Sequence, residues 1–168
     1  MLSAMAAALI ATGCGGSSTT SAATPVGCAT TGAADGALSA DYHYVLNVGP
    51  TEEMFSRADV AANHPKNGEL MVNGAMTMSQ GANPEHLEIH ICSRRNGEVV
   101  VGPPPAITFT DTNANTTTTL QVATMQGVTS GLGDLHYGNT IDAPPGHAFA
   151  VLVGFRGQQA TLHFTRPA

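Results

Sequence analysis

Charge is scarce in this 168-residue chain: Asp, Glu, Lys and Arg make up only 11% of it, and 12 acidic residues stand against 6 basic ones for a net charge of −6. No Lys/Arg cluster is present that could neutralise a phosphate backbone, which argues against nucleic acid as a partner. No apolar run approaches the about 20 consecutive residues that a membrane-spanning helix needs. Heptads are missing, and no internal repeat recurs at a period of about 20–50 residues, so coiled coils, propellers and solenoids are disfavoured. No serine or cysteine nucleophile motif is evident either. What remains is a chain that is 42% apolar, with its aliphatic residues in short runs rather than long ones. That distribution favours strands over helices and, at this length, one core.

The first 13 residues are small and apolar, with Leu9-Ile10 leading through Ala11-Thr12-Gly13 to Cys14, Gly15 and Gly16. This has the form of a lipoprotein signal ending at a lipid-modified cysteine, although no Lys or Arg precedes the apolar stretch, which points to a true start further upstream. The alternative is an Ala-rich terminus with an ordinary cysteine. On the first view residues 1–13 are a signal peptide and Cys14 carries the anchor. The protein then sits in the cell envelope, in the periplasm or held by lipid on the outer face of the cytoplasmic membrane. Residues 14–40, rich in Gly, Ser, Thr and Ala, form a disordered tether. The folded domain occupies residues 41–168. Cys28 and Cys92 are then an even pair in an oxidising compartment, and a disulfide is the economical expectation. Two free thiols, or one thiol serving a metal, are the alternatives.

Within the domain, Tyr42, Tyr44, Leu46 and Val48 alternate with polar residues and mark a first strand, stopped by Gly49-Pro50. Ser56-Arg57-Ala58-Asp59 has the form of a capping box and starts a short helix. Residues 70–78 read as a second strand region, expected to pair with the clearest strand, residues 85–92. Further strands are expected at residues 98–101, 107–110, 117–122, 148–155 and 159–165, with Asn96-Gly97 and Arg156-Gly157 as turns. About seven or eight short strands separated by Gly-, Pro- and Asn-rich turns describe an all-β, immunoglobulin-like β-sandwich.

In His86-Leu87-Glu88-Ile89-His90-Ile91 successive side chains face opposite sides. Leu87, Ile89 and Ile91 belong to the core, and His86, Glu88 and His90 share the other face. Adjacent members of that polar set can bind one metal ion together with residues from other strands. A second feature is the Gly-rich stretch that runs from Met125 through Ser130-Gly131-Leu132-Gly133 to Asp134-Leu135-His136-Tyr137-Gly138-Asn139. Such a loop can carry side chains to a site on a rigid scaffold. Met125 serves equally as core filler, and Asp134 equally as a turn residue.

His86-Leu87-Glu88, the methionine ahead of a Gly-containing loop, and His136-Tyr137-Gly138-Asn139 followed by strands together resemble the periplasmic ferrous-iron-transport protein family. The resemblance spans roughly residues 70–164. It implies an immunoglobulin-like fold, often a homodimer, that binds copper or another divalent metal and assists an inner-membrane permease in iron uptake. Carried over residue by residue, its ligands are His86, Glu88, Met125 and His136. His90 falls where the family commonly has an acidic residue, and with Asp134 it is a secondary candidate. The family's further C-terminal histidine is missing, with His163 as a substitute or a structural residue. A thioether with two imidazoles and a carboxylate suits copper first, with zinc and iron as alternatives. Met71, Met76 and Met78 lie nearby in sequence at a spacing equally suited to a core.

Three functions follow. The first is an envelope lipoprotein that holds a transition metal for iron or copper acquisition. The second is a metal-dependent oxidase of Fe(II) or Cu(I). The third is a structural or adhesive sandwich without metal.

Overall fold

The computed structural model describes residues 25–77 and 81–168; the leader, Cys14 and Met78 lie outside them. The alternation at the first tyrosines produces the strand it predicts. Leu46 and Tyr44 are buried on its inner side, and the hairpin partner precedes it: β1 (Asp35–Leu38) pairs antiparallel with β2 (Tyr42–Gly49). Part of the expected tether is therefore strand, and the fold starts before residue 41. Next come β3 (Met54–Phe55) and a seven-residue helix, α1 (Arg57–Asn63). Its capping box forms as predicted, with Ser56 receiving the Asp59 amide while Asp59 receives the Ser56 amide.

β4 (Glu69–Asn73) and β5 (Pro84–Ser93) both form, but they do not pair with each other. β4 pairs instead with β8 (Ala123–Gly127), and β5 with β9 (His136–Asp142). The two flanks of the expected Gly-rich loop are thus strands, and only the part between them turns, through a short 3-10 segment at Gly131–Asp134. The strand expected over residues 98–101 reduces to one bridge between Val99 and Cys92, because the three prolines that follow cannot donate to a ladder. β6 (Ala106–Asp111), β7 (Thr116–Thr119), β10 (Ala148–Phe155) and β11 (Gln158–Thr165) complete the domain.

The described residues form an all-β sandwich of eleven strands rather than seven or eight, in a seven-stranded sheet ordered β1-β2-β5-β9-β8-β4-β3 and a four-stranded sheet ordered β11-β10-β6-β7. Between them lies an apolar core to which Leu87, Ile89, Ile91 and Tyr137 contribute from the large sheet, and Ile107, Val151, Val153 and Leu162 from the small one. Phe149 stacks between Phe109 and Phe164, at ring-centroid distances of 4.9 and 4.7 Å. Each such side chain contributes about 1.5–3 kcal/mol by burial.

The large sheet is also covered on its other face. A 3-10 turn at Val26–Cys28 is held there by a disulfide between Cys28 and Cys92, with Cα atoms 5.9 Å apart. The expected pairing is therefore formed. Gly27 packs against the His90 ring so closely that a Cβ at this position would collide with Nδ1. The polar face of β5 is consequently interior: His86 and His90 are buried as fully as Leu87. No helix among the described residues is long and apolar enough to cross a membrane.

Candidate metal centre

Because side chains alternate along a strand, the residues of β5 that face away from the core are those the sequence assigns, His86, Glu88 and His90. The neighbouring strands add to the same face through register. Gly138 of β9 stands opposite Glu88, Met125 of β8 stands opposite His136, and Glu69 of β4 stands opposite Gly127. Glu69 and β5 are separated by two strands, so their side chains must reach across β8 and β9. Glycine at position 127 keeps that path clear, and glycine at position 138 lets β9 lie close against β5. A Cβ at Gly138 would collide with the Leu87 carbonyl, and one at Gly127 would lie 2.6 Å from Asp134 Oδ2.

The reach succeeds. Glu69, His86, Glu88 and His136 each direct one donor atom to a common point, all within 4.8 Å of one another. Nε2 of His136 is 3.2 Å and Nε2 of His86 is 3.5 Å from Glu69 Oε2, while His86 Nε2 is 3.9 Å from Glu88 Oε1. A tetrahedral ion with bonds of about 2.0–2.1 Å sets its ligands about 3.3 Å apart, so these spacings fit one cation. His86 and His136 are 1% exposed and Glu69 3%. A second group, His90, Asp134 and His136, also comes within 4.8 Å and shares His136 with the first.

Hydrogen bonds separate the roles. His136 Nδ1 lies 2.9 Å from the Asp134 carbonyl, to which it donates, turning Nε2 toward Glu69. His90 has both nitrogens engaged: Nδ1 donates to the Leu135 carbonyl at 3.2 Å, and Nε2 receives the Asn47 amide at 3.1 Å. The same amide donates to Glu88 at 3.4 Å. By contrast, His86 Nδ1, His86 Nε2, His136 Nε2 and Glu69 Oε2 are buried without a hydrogen-bond partner. Leaving such an atom unpaired costs on the order of 1–3 kcal/mol. Three of them, His86 Nε2, His136 Nε2 and Glu69 Oε2, face one point, where a cation can take their lone pairs.

The charges agree. Burial works against ionising Glu88, yet His90, His136 and His86 outweigh it and hold the carboxyl at about 2. Burial likewise opposes protonation of His136, but Glu69 and Glu88 prevail and hold it up to about 9. His86 is lowered, chiefly by burial, and so presents a neutral imidazole. Buried His/Glu groups able to hold a metal ion are therefore present, and nothing in the geometry fixes which metal.

Of the sequence-predicted ligands, His86, Glu88 and His136 converge. Met125 is fully buried on the same face, beside His136 and opposite Met71. His163 is not brought to the site; it is exposed on β11 in the other sheet. Glu69 and Asn47 were missed. Glu69 is legible only as an acidic residue that opens the Leu70-Met71-Val72 strand, where such residues are depleted. No family model, curated protein or solved structure matches this chain.

Proposed function

We propose that this chain is a transition-metal-binding protein of the bacterial envelope, with copper as first choice of cargo and Glu69, His86, Glu88 and His136 as ligands. The observation that carries it is the convergence of buried, unpartnered His86 Nε2, His136 Nε2 and Glu69 Oε2 on one point. Imidazole and carboxylate donors accept Cu(II), which stands highest in the divalent affinity order, and Met125 beside His136 adds a thioether suited to Cu(I). Zinc accepts the same nitrogen and oxygen donors, and ferrous iron accepts them with lower affinity. The envelope assignment, lipid attachment at Cys14 and service to an inner-membrane permease rest on the leader-like sequence and on the family resemblance. The Cys28–Cys92 disulfide suits an oxidising compartment.

Metal analysis of protein purified from the envelope, together with titration of the domain by Cu(I), Cu(II) and Zn(II), tests the proposal. His136→Ala is expected to weaken binding by at least about 10–100-fold, the loss typical of even outer-shell partners. Equal affinity in mutant and wild type overturns the site. A second reading, metal-dependent oxidation of Fe(II) or Cu(I), is favoured by the cleft that leaves one side of the cluster open. Aerobic Fe(II) oxidation by the loaded protein decides it.

A further inference from the structure

The cleft above the cluster has a volume of about 590 Å³, and its floor includes Glu69, Glu88 and His136. Its walls carry Glu52, Glu53 and Asp134, with Lys66 as the basic residue opposing them. Two backbone features set these carboxylates over the metal ligands. Gly127, opposite Glu69 in the β4–β8 ladder, has no side chain, and Asp134 Oδ2 lies over the space left free. On the other side the Glu53 carbonyl accepts the Glu69 amide at 2.9 Å, so the segment bearing Glu52 and Glu53 runs beside Glu69.

We propose that this cleft is the loading path of the centre and that it takes hydrated divalent cations rather than anionic metal chelates, with Glu52 and Asp134 as the entry carboxylates. The inference rests on the metal-binding reading above. Its second support is the floor: Glu69 Oε2 and His136 Nε2, both in residues at least nine-tenths buried, are unpartnered. Several like charges facing one cleft focus the field there and raise the local concentration of counter-ions, with on-rates about 10–10³-fold higher at low salt. The space suffices for a cation with about six waters at roughly 30 Å³ each. A citrate complex meets the same carboxylates as a like charge. The path therefore strips water from an ion on its way to the floor, and rejects metal that arrives already wrapped in anionic ligands.

The test is stopped-flow loading of the wild-type protein, Glu52→Gln and Glu52→Gln/Asp134→Asn, with Zn(II) supplied free or as its citrate complex, at low and high ionic strength. Glu52 is exposed, so the single variant reports even if the double one folds poorly. Association of free Zn(II) is expected to slow by about 10-fold in Glu52→Gln at low salt, with the difference vanishing at high salt, as for charges at the rim of a site. Citrate-bound zinc is expected to load the wild type more slowly than free zinc beyond what citrate's own dissociation imposes. Wild-type rates and salt dependence in Glu52→Gln overturn the entry role, and equal loading from the chelate overturns the preference for a bare cation. Failure of the wild type to bind zinc and copper at equilibrium overturns the parent reading and this one with it.

Discussion

Nε2 of His136 stands 3.2 Å from Oε2 of Glu69, and neither atom has a hydrogen bond to any other group. The two residues come from β9 and β4, with β8 between them, and the contact passes over the glycine face of the sheet. An imidazole and a carboxylate so placed are either a charged pair or two ligands awaiting the same ion. Glu69→Gln keeps the shape and removes the charge. It should weaken metal binding by at least about 10-fold, as loss of a ligand must exceed loss of its supporting partners. Without metal it should also bring the His136 pKa down toward its ordinary value. Histidine ring NMR titration checks the second effect, and an unchanged His136 would remove Glu69 from its role.

The pH dependence follows from the same pair. In the metal-free protein His136 is held up to about 9, above the ordinary 6.5. Its contribution to stability is therefore fully present below pH 6.5 and is lost as the pH rises through 9. Glu88 works oppositely: its contribution is present above about 4.5 and disappears as pH falls through about 2. Urea midpoints of the metal-free protein should thus decline between neutral pH and pH 9. Metal binding reverses the sign, because the ion displaces the His136 proton. Affinity should rise with pH across that window, with proton release near neutrality measurable in buffers of different ionisation enthalpy.

Met125→Leu separates copper from zinc. The swap conserves volume at a fully buried position, so its stability cost should stay below about 1.5 kcal/mol. If the thioether binds, Cu(I) affinity falls more than Zn(II) affinity. Parallel competition titrations with both ions measure this, and equal ratios in mutant and wild type would return Met125 to the packing.

The disulfide closes a separation of 64 residues, for which the chain-entropy view gives roughly 4 kcal/mol. Cys28→Ala/Cys92→Ala should lower the urea midpoint accordingly and, by releasing the turn that packs Gly27 on His90, increase hydrogen exchange at Leu135 and His136. Gly27→Val tests the contact without touching the bond, since its Cβ meets the His90 ring. An exchange profile equal to wild type in both variants would mean that the turn does not support the site.

Much of this was legible in the sequence. Alternation in residues 85–92 separates the core face from the ligand face, and the turn residues and capping box locate most elements. The sheet order was not legible, because local periodicity says which face a residue takes but not which strand lies beside it. Hence β4 was expected against β5, Glu69 was overlooked, and the flanks of residues 125–139 read as loop because their glycines resemble turn signals. Gly127 instead keeps the ligand face clear, and Gly138 lets β9 lie close against β5. Burial of a polar face was equally hidden, since it depends on a turn drawn in by a cysteine far away in sequence.

β9 lies between β5 and β8 in the sheet but follows both in the chain. It enters as the last wedge between strands already synthesised, and His136 arrives with it. A chain in which β9 has not docked cannot assemble the four ligands, since Glu69, His86 and Glu88 then lack both their fourth member and the spacing that β9 imposes. A bound metal would then be a selective stabiliser of that topology, worth about 2.7 kcal/mol when its free concentration is about 100 times its dissociation constant. If the site takes a metal, occupancy would be a record of a completed β4-β8-β9-β5 pairing, and a mispaired sheet would be recognisable as one that cannot be filled.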